Sequence, residues 1–151
     1  MQLIPITPEQ VKMILADEEL FSRVAEDGVS FEDYIPPAGR LYLGIWVDHT
    51  LIGFWTVYGD NSVSFNIHCH VLEGYRNYSV EVGTVFLDYM FSKYDKIQKL
   101  NAKIPEMYPD VCTYIKKFGF KQEGVDRKSI MKNGELVDRL LFGLTRGDYN
   151  E

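Results

Sequence analysis

Along Ser62–Val71, apolar and polar side chains alternate with a period of two. Val63, Phe65, Ile67, Cys69 and Val71 share one face, and Ser62, Ser64, Asn66, His68 and His70 share the other. This is the pattern of a strand with one face on a core. Two aromatic-rich runs precede it, Arg40–Val47 and Leu51–Tyr58, joined by Asp48-His49-Thr50, a connection of hairpin length. A short apolar run, Leu3–Ile6, predicts a first strand, and Ile97–Ile104 predicts another that Pro105 breaks. Phe120–Met131 and Glu135–Thr145 read as two long strands around Lys132-Asn133-Gly134, where Asn-Gly signals a hairpin.

Helical spacing fills the intervals. Thr7-Pro8-Glu9-Gln10 has the elements of a capping box with proline at the first helical position, and Val11, Ile14 and Leu15 follow on one face. Asp17-Glu18-Glu19 interrupts that face before Leu20, Phe21 and Val24 resume it, which allows two short helices or one bent helix. Asp27-Gly28 opens a loop, and Ile35-Pro36-Pro37-Ala38-Gly39 cannot be helical. Glu73–Tyr78 reads as a loop ahead of an amphipathic helix carrying Val82, Val85, Phe86, Tyr89 and Met90. A second helix is expected over Asp110–Phe118, with Gly119 as its terminator. The order is strand, helices, three strands, helix, strand, helix, two strands. It predicts an α+β protein with a mixed, mostly antiparallel sheet flanked by helices.

Length and composition narrow the class. A chain of 151 residues with 46% hydrophobic and 14% aromatic residues suits a single domain, 1–151, with a dense core, and excludes disorder. A net charge of −6 argues against a broad nucleic-acid or anionic-membrane surface. No apolar run reaches the roughly 18 residues that span a bilayer. Met1-Gln2-Leu3-Ile4-Pro5 lacks the basic start of a signal peptide. Cys69 and Cys112 are too few for a disulfide framework or a four-ligand zinc site. A reducing cytoplasm is the expected location.

The last third carries a resemblance. Asn101-Ala102-Lys103-Ile104, then Tyr114-Ile115-Lys116-Lys117-Phe118-Gly119-Phe120 running to Gly124, then Val137–Arg146 resemble the closing half of the GNAT (Gcn5-related N-acetyltransferase) fold, especially its ribosomal-protein-acetylating branch. The resemblance implies an acyl-CoA N-acyltransferase fold and acetyl-CoA as cofactor. It also implies that the loop around Ile35–Gly39 shapes the acceptor pocket. Asp138 and Arg146 match that branch and are expected to be architectural.

GNAT proteins hold the CoA pyrophosphate with Arg/Gln-x-x-Gly-x-Gly/Ala at a helix start, where glycines admit the phosphates to backbone amides. The corresponding segment is Tyr75, Arg76, Asn77, Tyr78, Ser79, Val80 and Glu81. Tyr75-Arg76 fits, but Ser79 and Glu81 replace the two small residues. A carboxylate about 4 Å from a phosphate charge would repel it by roughly 4 kcal/mol at an effective dielectric near 20. Glu81 could avoid this by turning to water, or could cap the helix amides itself.

Acetyl transfer needs a base for the incoming ammonium and an acid for the leaving thiolate. The strand before the phosphate loop offers His68 and His70, with ordinary pKa values near 6.5 as base candidates. The competing reading is two structural histidines. His-x-His could also hold a metal, but no third ligand lies near in sequence, and no metal is expected. The family's thiolate acid is a tyrosine four residues before the Gly-Phe turn. That position is Ile115; Tyr114, one residue earlier and about 100° away around the helix, is the catalytic candidate that remains there, with packing as the competing reading. Tyr108 stands where the family has a helix-opening Asn. Cys69 is expected to be buried and inert, and Trp46 and Trp55 to be core.

Along its whole length the chain also resembles GNAT-like proteins of tailed phages, some assigned to head assembly. Ile35-Pro36-Pro37, Gly53-Phe54-Trp55, His68-Cys69-His70-Val71, Gly74-Tyr75-Arg76 and Lys103-Ile104-Pro105 carry that similarity. Two readings follow. One is a phage-encoded head (virion) assembly protein with weak or no CoA-dependent catalysis, its partners phage structural proteins in the host cytoplasm. The other is an active N-acetyltransferase moving acetyl from acetyl-CoA to an amine.

Overall fold

In the computed structural model, which describes residues 1–151, Asn133-Gly134 turns the longest hairpin of the chain. Both residues have positive φ, 54° and 81°, the left-handed pair that matches strand twist. The strands are β1 (Gln2–Pro5), β2 (Leu41–Val47), β3 (Thr50–Gly59), β4 (Ser64–Val71), β5 (Lys99–Pro105), β6 (Lys121–Lys132) and β7 (Glu135–Thr145). The helices are α1 (Pro8–Ile14), α2 (Glu18–Val24), α3 (Ser79–Lys93), α4 (Pro109–Lys116) and α5 (Arg146–Tyr149). The seven strands form one sheet ordered β1-β2-β3-β4-β5-β7-β6. β4–β5 is parallel, and β1–β2, β2–β3, β5–β7 and β6–β7 are antiparallel. The expected α+β architecture with a mostly antiparallel sheet is therefore present. No helix is long and apolar enough to cross a membrane.

Several boundaries differ from the sequence pattern. The acidic run at Asp17 separates two helices rather than bending one, because the Asp17 carboxylate accepts from the Leu20 amide at 2.9 Å and starts α2 afresh. Thr7 and Gln10 form the complete capping box of α1. The first hairpin turns on Asp48 and His49, both at positive φ, so β3 begins at Thr50. Ser62 and Val63 fall outside β4. Glu73–Tyr78 is a 3-10 helix, not an open loop, and runs straight into α3.

The chain divides into two compact units, Met1–Tyr58 with His68–Tyr89, and Gly59–Ile67 with Met90–Glu151. The first unit has a core of Ile6, Val11, Ile14, Leu15, Leu20, Tyr42 and Phe54. Trp55 stacks on Phe86 of α3 with centroids 3.7 Å apart. In the second, Leu100, Phe142 and Leu144 are buried. Its parallel pairing joins Ser64, Phe65 and Asn66 to Lys99, Leu100 and Asn101, and the Asn101 amide donates to Ser64 Oγ at 2.7 Å.

Asp138 and Arg146 serve the architecture of the second unit. The Asp138 carboxylate accepts from the amide of Lys128, which sits at φ 50° in a bulge of β6. Arg146 donates to the carbonyls of Phe91, Tyr94 and Ile97 at 2.9, 2.7 and 2.8 Å, satisfying the C-terminal turn of α3 and the residues after it.

Candidate functional site

The face of β3 and β4 that carries Phe54, Tyr58, His68 and His70 is a run of neighbouring rings. Register pairing sets this face: Tyr42 opposes Thr56, and Gly44 opposes Phe54, so the even-numbered residues of β2 and β3 point the same way. Arg40 lies over the Tyr58 ring at 4.0 Å. Tyr58 and His68 are near-parallel, 5.8 Å between centroids, and the Tyr58 hydroxyl reaches His68 Nε2 at 3.4 Å. His68 and His70 are again near-parallel at 6.4 Å, and His70 meets Phe54 at 5.1 Å.

His70 keeps some surface exposure, but protein surrounds its imidazole. Burial, with the neighbouring His68 as a lesser cause, pushes its pKa down from 6.5 to about 3. The ordinary pKa expected from sequence therefore fails at His70. At neutral pH it is an uncharged ring with little appetite for a proton. The two imidazoles face one another as stacked rings, and no group of three or more His, Cys, Asp or Glu side chains in the chain could hold a metal.

The segment expected to grip pyrophosphate is folded back on itself. The Ser79 amide donates to the Arg76 carbonyl, and the Ser79 hydroxyl donates to the same oxygen at 2.5 Å. The Arg76 side chain turns to α2. Its Nη2 is 2.6 Å from Glu19 Oε1, and its Nε donates to the Val71 carbonyl at 3.3 Å. Arg23 Nε holds the other Glu19 oxygen at 2.9 Å. Burial works to raise the Glu19 pKa, but hydrogen bonds from Arg76 and Arg23 outweigh it, and the net direction is down. Tyr75 and Tyr78 lie near-parallel at 6.5 Å. Asn77, Val80 and Glu81 are exposed, Glu81 on the first turn of α3. As they stand, these residues do not fit a bound pyrophosphate. The arginine is engaged, and two donors at Ser79 are closed onto the backbone.

Tyr114 belongs to the second unit, on α4, where its ring meets Phe118 edge-on at 5.1 Å. Ile115, at the family's tyrosine position, is buried. The site residues of the first unit thus lie on β4, on the 3-10 helix Glu73–Tyr78 and on the first turn of α3. Cys69 points away from the histidines. Cys69 is partly exposed, not buried as expected, but protein encloses its thiol: burial raises the thiol pKa strongly, against a smaller lowering by Arg76, and leaves little thiolate at neutral pH. Trp55 is core as expected. Trp46 is only partly buried, although its indole nitrogen is enclosed without a partner. Sequence reasoning missed Glu19, Arg40 and Tyr58. An acid in the first turn of a short helix, a residue just ahead of β2 and one on β3 carry no local mark of what they touch.

No family model and no curated protein matches this sequence. Solved structures do match. A chimera of Vibrio cholerae spermidine N-acetyltransferase SpeG and hSSAT superposes with a TM-score of 0.81 over 100% of both chains at 15% identity. The Vibrio cholerae spermidine N-acetyltransferase in complex with CoA and spermine gives 0.81 over 99% of this chain and 98% of that one, at 16% identity. A probable GNAT-family acetyltransferase from Chromobacterium violaceum gives 0.80 over 99% and 89%, at 13%. This chain has the GNAT fold. Mycobacterium smegmatis RimJ, in complex with CoA-disulfide, shares that fold at a TM-score of 0.77 and 16% identity, covering 99% of this chain and 83% of its own. Identities this low carry the GNAT architecture across and leave the chemistry to the residues present.

Proposed function

We propose that this GNAT-fold protein acts by binding another protein, with weak or no CoA-dependent catalysis. The observation that carries the reading is the Arg76 guanidinium held by Glu19, on a segment whose Ser79 donors already close onto the Arg76 carbonyl. The low pKa of His70 adds support, since it removes one of two candidate bases. The resemblance to tailed-phage proteins suggests head assembly as the setting and a phage structural protein as the partner. Deleting the gene from a phage that encodes it, with normal heads resulting, would sink that role.

The second reading, an N-acetyltransferase acting on an amine, draws support from full-length superposition on acetyltransferases, one of them bound to CoA and spermine. One measurement separates the two. Acetyl-CoA at about 1 mM, 100-fold above a dissociation constant of about 10 µM, would stabilise the fold by about 2.7 kcal/mol. We expect no shift in melting temperature and no titration heat. A micromolar constant with turnover of an amine would establish the second reading instead.

A further inference from the structure

The ion triad of Glu19, Arg23 and Arg76 is more than a surface pair. Two guanidiniums from separate elements converge on one carboxylate, 2.9 and 2.6 Å from its two oxygens. All three side chains are about one-third exposed or less, at 26%, 33% and 31% for Arg23, Glu19 and Arg76. Fifty-seven residues separate Glu19 from Arg76, so the contact is made by the fold. A planar guanidinium accepts a carboxylate or a phosphate with the same donor fork. Whatever anion Arg76 could bind must therefore compete with a tethered one. A tethered competitor acts at a high effective concentration, which a dilute ligand has to overcome.

We propose that Glu19 is an internal counter-anion that masks a phosphate-class anion site built from Arg76 and Arg23. This rests on the reading that the segment Tyr75–Glu81 does not bind CoA as it stands. It adds that the block lies in α2, outside the replaced glycine positions. The masked site takes a diphosphate or the pyrophosphate of a nucleotide. When Glu19 is neutralised, Arg76 keeps its 3.3 Å bond to the Val71 carbonyl, and its Nη2 is released to offer a donor to such a group beside Arg23.

The test is titration of inorganic pyrophosphate and of CoA into wild type, Glu19→Gln, Arg23→Gln, and Glu19→Gln combined with Arg76→Ala. We expect Glu19→Gln to bind pyrophosphate at least about tenfold tighter than wild type, the scale of one charge-assisted hydrogen bond. Arg76→Ala should abolish that gain. Arg23→Gln, which leaves the Arg76–Glu19 pair in place, should show none. Glu19→Asp, shorter by one methylene, carries the test with a smaller expected gain should Glu19→Gln fail to fold. Folded variants that bind no better than wild type overturn the mask and leave the proposed function standing. An equal gain in Arg23→Gln also overturns it, because loosening α2 would then suffice. Micromolar CoA binding by wild type overturns the proposed function, and equal affinity in Glu19→Gln then overturns the mask as well.

Discussion

His70 shows how a residue's surroundings can reverse the role its type suggests. A histidine on the solvent side of a half-buried strand looks like a base. Enclosed between Phe54 and His68, it is instead held neutral, with a pKa of about 3 against 6.5. The consequence for stability has a definite sign. The unfolded chain takes up a proton near pH 6.5, and the folded chain does so only near pH 3. Between those values the unfolded state binds more protons, so stability falls as pH falls, by at most about 1.4 kcal/mol per pH unit. Urea unfolding of wild type from about pH 7 to pH 4 should show this slope, and His70→Gln should flatten it. A variant with an undiminished slope would assign the effect to another group. Glu19 acts in the same direction over a more acidic range. Its lowered pKa adds stability that is fully present above the usual carboxylate value of 4.5 and is lost as pH falls from there through the folded value, so its effect begins inside the acidic half of the His70 window.

At the scale of elements, what the sequence disclosed depended on how local each signal was. β7 lies at Glu135–Thr145 as expected, because alternation and the Asn133-Gly134 turn are short-range properties. α1 follows from its capping box. The 3-10 helix at Glu73–Tyr78 was not legible. Glu-Gly-Tyr-Arg-Asn-Tyr has no apolar periodicity, and a six-residue 3-10 helix leaves no other pattern to read. Of the candidate site, the position of Arg76 was legible and its engagement was not. Arg146 was readable as architectural from the resemblance, but its three acceptors were not. The sequence does not say that a side chain at the end of β7 serves the end of α3. Arg146→Ala strands carbonyls of Phe91, Tyr94 and Ile97, and should cost about 2–4 kcal/mol in chemical denaturation. Arg146→Lys keeps the charge but lacks the planar fork, so it should recover only part of the loss. Full recovery would mean that charge, not the three-way geometry, does the work.

At the scale of the whole molecule, the fold is specified by many weak agreements, whereas binding a cofactor depends on a few atoms. This is why a chain at 13–16% identity to its structural neighbours superposes along its length. The same distinction bears on cooperativity. The two compact units share two elements: β4 gives Ser64–Ile67 to one and His68–Val71 to the other, and α3 gives Ser79–Tyr89 to the first and Met90–Lys93 to the second. Neither unit can unfold without breaking a strand and a helix that the other also uses. One cooperative transition is therefore expected, as for a single domain. The chain supplies its own probe, because both tryptophans, Trp46 and Trp55, lie in the first unit. Tryptophan emission reports that unit alone, and far-ultraviolet circular dichroism reports both. The two curves should coincide in urea. Emission changing at a different midpoint from the dichroism would show the units to be separate folding bodies, and the expectation of a single domain would then fail.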